Sequence, residues 1–128
     1  MNYYFSKTIN VSHSNAIEKV TEALKNTGFG IVSEIKMHEK FKEKLGVDFK
    51  KYSILGACNP SYAYKVLQEE EKIGTMLPCN IVVIEKEDGT TEVAAINPVL
   101  SMMAVSNPAL EPYAKEVTEM LKNAINKL

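Results

Sequence analysis

Cysteine and histidine are both scarce in this chain, with two of each among 128 residues. A structural zinc site usually takes four ligands in spacings such as CxxC or HxxxH, and neither spacing occurs in the sequence. The two histidines, His13 and His38, fall in segments that we expect to be exposed. The sequence therefore gives no reason to expect a metal site, and it indicates no cofactor.

Long apolar runs and an excess of either charge are also missing. No apolar run approaches the length of a bilayer-spanning helix, and Met1 to Lys7 lack the basic and apolar regions of a signal peptide. The formal net charge is −1, with 15 basic and 16 acidic residues, and Lys and Glu are mixed along the helices rather than gathered in a basic stripe. We therefore expect a cytoplasmic protein whose partners include neither nucleic acid nor a membrane.

The composition is that of an ordinary globular domain. Hydrophobic residues make up 45% and charged residues 24% of the sequence. A chain of this length buries about two thirds of its unfolded surface, so it needs neither a metal nor a disulfide for stability. Since linker-like and repeated segments are missing too, we expect a single domain over residues 1–128.

The stretch Gly56-Ala57-Cys58-Asn59-Pro60 joins a strand-like segment to a strong helix start. Tyr52 to Cys58 has the composition of a buried strand, and its Gly56 allows another group to come close. Asn59 is predicted to cap the next helix with its side chain, and Pro60 suits the first helical position. Cys58 would then lie at a helix N-terminus, where a thiol can have a lowered pKa, so one interpretation is a reactive cysteine. The alternative is that Cys58 is a small buried apolar residue.

Apolar periodicity and turn residues predict the other elements. The Asp88-Gly89 pair predicts a hairpin, and the strand after Gly28 is expected beside the first strand. The remaining expected strands are 2–11, 29–35, 79–85 and 91–96, and the expected helices are one capped by Ser14 or Asn15, 37–45, 60–68, one starting at Pro98 and one at the C-terminus. The fold class is α+β, with a largely antiparallel five-stranded sheet, helices mainly on one face and the order β-α-β-(α)-β-(α)-β-β-(α)-α.

Several of these segments together resemble one known family. They are Gly28-Phe29-Gly30, Lys44 to Phe49, Ile54 to Pro60 with Ala63, Leu77-Pro78-Cys79-Asn80 and Pro98. In this combination the chain resembles, over nearly its whole length, the bacterial and archaeal domain of unknown function 302. The resemblance implies a fold like one half of the TATA-binding protein, and it implies a homodimer. It implies no activity, and fold kinship is no argument for DNA binding.

The second cysteine, Cys79, begins a strand, whereas Cys58 ends one. If these strands are antiparallel neighbours, the two thiols lie at the same edge of the sheet. If the strands are parallel, a strand length separates the thiols. Because the predicted sheet is mostly antiparallel, we expect the thiols to be close, and we take the segments around them as a candidate ligand site. Its residues are Cys58, Asn59, Pro60, Pro78, Cys79 and Asn80.

Three functional interpretations follow from this site, and the sequence names no catalytic residue. The first is a homodimeric binding or sensor domain that takes a small-molecule ligand. The second is a thiol redox or thiol-dependent enzyme that uses Cys58 and Cys79. The third is an assembly module in which both cysteines are core residues. Whether the protein is an enzyme is left open by the sequence.

Overall fold

The computed structural model describes residues 2–128, which form five strands, five α-helices and two short 3₁₀ turns. The elements are β1 (Tyr4–Ile9), α1 (His13–Lys25), β2 (Gly30–Lys36), α2 (Met37–Leu45), β3 (Tyr52–Cys58), α3 (Pro60–Glu69), a 3₁₀ turn (Glu71–Met76), β4 (Cys79–Glu85), β5 (Thr91–Ile96), α4 (Pro98–Met103), a second 3₁₀ turn (Pro108–Leu110) and α5 (Glu111–Asn126). This order confirms the predicted α+β class. No helix within residues 2–128 has the length and apolar character that crossing a membrane requires.

The strands form one antiparallel sheet in the order β1-β5-β4-β3-β2. The predicted hairpin joins β4 to β5, with Glu85 opposite Thr91 and Gly89 in the left-handed region at φ 85°. The expectation that β2 lies beside β1 is wrong, because β2 pairs with β3 at the opposite edge. Helix α1 packs on β2, β4 and β5 and so carries the chain across the sheet. An alternating strand pattern defines the buried face of a strand but not its neighbour.

The main core lies between one face of the sheet and the helices α1 and α5. Alternate strand residues face this core because the side chains of a strand point to opposite faces in turn. The sheet contributes Leu55, Ala57, Cys79, Ile81, Val83, Val93 and Ala95, and the two helices contribute Ala16, Val20, Leu24, Val117, Leu121, Ala124 and Ile125. All of these side chains are buried, so this layer supplies most of the hydrophobic stabilisation.

The opposite face of the sheet is also apolar, but it is less covered. Its side chains come from the intervening positions of the strands and keep partial access to solvent. They include Ile54, Val82, Ile84, Ala94 and Ile96. We refer to these five residues as the open face. Tyr3, Tyr4 and Tyr52 stand beside it and help to line a shallow depression there.

Helix α1 begins earlier than predicted, and this buries a histidine. The Ser12 hydroxyl oxygen accepts a hydrogen bond from the Asn15 backbone N–H at 3.2 Å, so Ser12 is the cap and the prediction of Ser14 or Asn15 is wrong. The earlier start places His13 in the first turn, where it is 9% exposed. Its ring centroid lies 5.9 Å from that of His38, which is half-buried. The expectation of two exposed histidines is therefore wrong as well.

Candidate functional site

The two predicted site segments meet where β3 ends and β4 begins. Across these antiparallel strands Ala57 is opposite Cys79, and Gly56 is opposite Asn80. Opposite residues share a face of the sheet, so Cys79 faces the main core with Ala57, whereas Asn80 belongs to the other face. The condition set for the two cysteines, that their strands be antiparallel neighbours, is met.

A cavity of about 380 Å³ opens at this end of the sheet, between two apolar clusters. The first cluster is the main core, which reaches the cavity through Phe29, Ala57, Cys79, Val117 and the partly buried Tyr62. We call the other the satellite cluster; its buried members are Val66, Ile73 and Leu110, and Leu77, Met102, Val105 and Tyr113 pack against them. Val66, Leu77, Met102 and Tyr113 form the satellite side of the wall. The remaining lining residues are Val32, Cys58, Asn59, Ala63, Leu67, Gly74 and Pro78.

Four of the six predicted site residues line this cavity. They are Cys58, Asn59, Pro78 and Cys79. Pro60 is exposed in the first turn of α3, and Asn80 is exposed on the other face of the sheet. Asn80 instead lines a separate depression with Pro78 and Ile96. The structure thus places both cysteines, Asn59 and Pro78 around one cavity. Pro60 and Asn80 lie outside this cavity, although Asn80 shares the separate depression with Pro78 and Cys79.

Asn59 starts helix α3 without capping it through its side chain. Within residues 2–128 the Asn59 amide forms no capping hydrogen bond, although the Asn59 carbonyl oxygen accepts from the Ala63 N–H at 3.0 Å. The amide packs over Gly28 instead, since a Cβ at Gly28 would lie 3.1 Å from Asn59 Nδ2. Gly28 has φ +90° and follows α1. The predicted helix start is confirmed, but the predicted role of the Asn59 side chain is wrong.

Gly56 admits two side chains to the sheet surface beside the cavity. A Cβ at Gly56 would lie 2.3 Å from Ser33 Oγ and 2.6 Å from Pro78 Cγ. The close approach expected at this glycine is therefore made by Ser33 and Pro78. Because Pro78 also lines the cavity, the missing side chain at Gly56 helps to set the position of one cavity wall.

The electrostatic environment of the cavity favours neutral groups. Burial, and then the proximity of Cys58, raise the pKa of the Cys79 thiol to about 11. Cys79 is therefore protonated at neutral pH and is a poor nucleophile. Cys58 is half-buried. It follows Ala57, the residue opposite Cys79, and successive side chains of a strand point to opposite faces, so the Cβ atoms of the two cysteines point in different directions. This register disfavours a disulfide between them without backbone movement.

Charged groups lie at the rim, where they have partners. The Tyr62 hydroxyl donates a hydrogen bond to Glu116 Oε2, which raises the pKa of Tyr62. Lys65 Nζ lies 5.5 Å from the ring centroid of Tyr62 and 6.0 Å from that of Tyr113. These contacts tie α3 to α5 through Tyr62 and Tyr113, which both line the cavity. In the described range, no group of three or more His, Cys, Asp or Glu side chains is placed to hold a metal ion.

Sequence reasoning missed most of the cavity wall. Ala63, Val66 and Leu67 recur at helical spacing, which indicates an inward face of α3 but does not distinguish a cavity wall from a core contact. No helix or strand was predicted between the element at 60–68 and the strand at 79–85, whereas Glu71–Met76 forms a 3₁₀ turn in which Ile73 is 1% exposed. Met102 comes from a helix distant in sequence. These residues share no local motif, so their proximity is visible only in the fold.

The geometry described so far defines a small α+β protein with an apolar cavity at one end of its sheet. A family model described as "Domain of unknown function DUF302" matches residues 5–128, so the chain belongs to that family. This confirms the family predicted from the sequence. Neither the family description nor the relatives below assign a specific function.

One relative and one solved structure illustrate the similarity. An uncharacterized protein of Aquifex aeolicus (strain VF5) is 37% identical over 65 residues, which are 51% of this chain and 44% of the relative. The chain thus spans less than half the length of that relative. A crystal structure of an uncharacterized conserved protein DUF302 from Bacillus stearothermophilus has a TM-score of 0.91 to this chain. That match has 30% identity and covers 99% of this chain and 98% of the other.

Proposed function

We propose that this chain is a binding or sensor domain whose small-molecule ligand occupies the cavity beside Cys58, Asn59, Pro78 and Cys79. The observation that carries this proposal is the cavity itself, of about 380 Å³ with a predominantly apolar wall. Ligand sites are typically concave and apolar with a few polar groups, and this volume falls at the lower end of their range. The ligand is therefore expected to be small.

The position of the cavity argues against a simple packing defect. Protein interiors are close-packed, and voids larger than a water molecule are few. Here the gap separates the main core from the satellite cluster, so both clusters lack apolar contacts on the side that faces it. A bound apolar molecule would supply those contacts. Filling the cavity would therefore stabilise the fold as well as hold the ligand.

The same position supports a sensor role. The satellite cluster contains Val66 from α3 and Ile73 from the following 3₁₀ turn. A ligand that touches both clusters would couple this segment to the sheet. Binding would then lower the rate at which α3 and the turn open, because a ligand that binds the closed form stabilises it by mass action. A partner protein could then bind the surface of α3 that the ligand has ordered.

Thiol chemistry is the weaker alternative for this site. A redox or nucleophilic cysteine needs an accessible thiolate, whereas burial raises the pKa of Cys79 to about 11. The interpretation of the cysteines as apolar core residues of an assembly module predicts that the cavity stays empty. Native mass spectrometry distinguishes an empty cavity from an occupied one.

We also propose that the domain is a homodimer that associates through the open face. The support is the row of partly exposed apolar side chains, Val82, Ile84, Ala94 and Ile96, on two neighbouring strands. Contiguous apolar surface of this kind is typical of interfaces. A two-fold dimer uses the same patch on both copies, so the surface must be compatible with itself. Glu92 lies on the same face opposite Ile84, and its carboxylate pairs with Lys86 Nζ at 3.4 Å, so each copy presents a compensated charge beside the apolar patch.

Three further expectations belong with this proposal. We propose that residues 1–128 act as one domain, supported by the single sheet that all five strands share. We propose kinship with one half of the TATA-binding protein, supported by the element order and the antiparallel sheet. We propose a cytoplasmic protein, supported by its near-neutral charge and its two free cysteines.

Native mass spectrometry of protein purified without denaturation tests the binding proposal. The wild type should carry a discrete mass increment, which denaturation releases. Ala63→Phe places a ring in the cavity and should abolish the increment, because Ala63 lines the wall. Gln68→Phe adds the same ring at an exposed position of α3 and should retain it. Consistent absence of any increment from the wild type, purified from several growth conditions, would overturn the proposal.

A further inference from the structure

The lining of the cavity restricts the chemistry of its ligand, given the proposed function on which this inference rests. Among the residues that the structure describes, none that lines the cavity carries a charged side chain. The polar side chains of the wall are the Asn59 amide, two thiols and two tyrosines. The Tyr62 hydroxyl is already engaged with Glu116. The wall can therefore offer a few neutral hydrogen bonds and no counter-ion.

Two charged side chains contact the tyrosines of the wall without lining the cavity themselves. Glu116 accepts the hydrogen bond of Tyr62, and Lys65 lies over the rings of Tyr62 and Tyr113. An ionic group placed against the wall would lose part of its hydration without gaining an opposite charge from any lining side chain. Burial of an unpaired charge is strongly unfavourable. The cavity therefore excludes ions because its wall offers them no oppositely charged partner.

The apolar part of the wall is rich in polarisable groups. Phe29, Tyr62 and Tyr113 supply aromatic rings, and Met102 supplies a thioether. Aromatic rings and sulfur atoms make favourable contacts with further aromatic and aliphatic groups. We infer that the cavity selects an uncharged, predominantly apolar small molecule and rejects a charged analogue of the same shape.

A matched pair of fluorescent probes tests this selectivity. N-phenyl-1-naphthylamine and 8-anilino-1-naphthalenesulfonate share one ring skeleton and differ in the negatively charged sulfonate, and both brighten in an apolar environment. Titration of the whole chain should show that the neutral probe binds at least about tenfold more tightly, since an unpaired buried charge costs well over the ~1.4 kcal/mol that corresponds to tenfold. Ala63→Phe should abolish binding of the neutral probe, and Gln68→Phe should leave it unchanged.

A second variant tests the electrostatic cause. Ala63→Lys places an ammonium group on the wall, so it should weaken the neutral probe and strengthen the sulfonate probe relative to the wild type. Circular dichroism and thermal unfolding must show that the variant is folded. If it is not, Cys58→Lys offers the same charge from another part of the wall. An unchanged ratio of the two probe affinities in a folded lysine variant would overturn the inference.

The outcomes separate this inference from the proposed function. Equal affinity for the two probes, lost in Ala63→Phe, would overturn the inference and leave the cavity as a binding site. Failure of both probes to bind the wild type would overturn the inference, and together with absence of a copurified molecule it would overturn the proposed function as well. Binding that Ala63→Phe does not weaken would place the probes elsewhere and overturn the inference.

Discussion

Tyr62 on α3, which lines the cavity, donates a hydrogen bond from its hydroxyl to Glu116 Oε2 on α5. Helix α3 buries Val66 in the satellite cluster, so this bond is a second attachment to the rest of the fold. Tyr62→Phe removes the hydroxyl and keeps the ring. We expect a loss of about 1 kcal/mol in the free energy of unfolding, the usual range for a hydrogen bond of this kind. Urea denaturation measures it.

Tyr64→Phe is the matched control for this change, because Tyr64 on the same helix is 69% exposed. It should change the free energy of unfolding by less than about 0.5 kcal/mol. Hydrogen exchange should also show faster opening of α3 amides in Tyr62→Phe than in Tyr64→Phe. Equal stability and exchange in the two variants would show that the hydroxyl contributes nothing to the anchoring of α3.

The two cysteines should differ in reactivity in the folded protein. With its pKa raised to about 11, about one Cys79 thiol in a thousand is ionised at pH 8. Cys58 is half-buried rather than buried. We expect iodoacetamide to modify Cys58 first and Cys79 at a rate set by opening of the structure, as followed by peptide mass spectrometry. In denaturant the two rates should converge. Faster modification of Cys79 in the native state would contradict the protonated, buried thiol described above.

Gly56 should tolerate no side chain. A Cβ there would meet Pro78 Cγ at 2.6 Å and Ser33 Oγ at 2.3 Å, and the proline ring has little freedom to move. We expect Gly56→Ala to lower the free energy of unfolding by about 2 kcal/mol, the range found for overpacking. It should also weaken binding at the cavity, since Pro78 lines it.

Gly30→Ala is the control for this steric argument. Gly30 lies on the neighbouring strand β2, and a Cβ there has no heavy atom within 4 Å among the described residues. It should leave stability within about 0.5 kcal/mol of the wild type, as exposed substitutions usually do. Similar losses in the two variants would mean that backbone preference, rather than contact with Pro78, makes Gly56 necessary.

Several elements could be predicted from the sequence because local signals define them. The strands β3, β4 and β5 have the predicted bounds, since each is an apolar run between clear turn residues. Placement across the sheet could not be predicted in the same way. The alternation in β2 fits either neighbour, and the path of α1 over the sheet decides the edge to which β2 is added.

The candidate site shows the same limit. Antiparallel pairing of β3 and β4 could be predicted, and with it the proximity of their ends. The face of the sheet on which each site residue lies could not be predicted, because it depends on the register of the strands. Asn80 is opposite Gly56 and so lies on the other side of the sheet from Cys79. Likewise, the residue type of Asn59 favours a helix cap, but its amide packs on Gly28 instead. Gly28 is distant in sequence, so no local pattern predicts this contact.

Val82→Glu tests association through the open face. Val82 lies on β4, a strand inside the sheet, and its side chain is partly exposed. A carboxylate buried between two copies would be unpaired, so the variant should sediment as a monomer at concentrations at which the wild type is a dimer. Asn123→Glu adds the same charge at an exposed position of α5 and should remain dimeric. A folded Val82→Glu variant that stays dimeric would place the interface elsewhere.

The buried His13 should make stability depend on pH below neutrality. Burial, and then the neighbouring His38, lower the pKa of His13 below the ordinary 6.5, and Lys51 acts in the same direction. Above pH 6.5 the ring is neutral in both states, so its contribution to stability is complete. As the pH falls from 6.5 towards the lowered folded-state pKa, the unfolded chain takes up the proton first and stability is lost.

His13→Gln removes this titration and keeps a polar group beside Ser53, whose Oγ lies 3.3 Å from His13 Nε2. The nearby Glu85 carboxylate and the Val83 backbone raise the pKa of His13, but burial outweighs them. Both proteins share every carboxylate, so the difference between their urea unfolding curves isolates the histidine. Between about pH 7.5 and about pH 5.5 the wild type should lose more stability than the variant. Parallel losses would show that the fold accepts a protonated His13, with its ring turned out from the sheet.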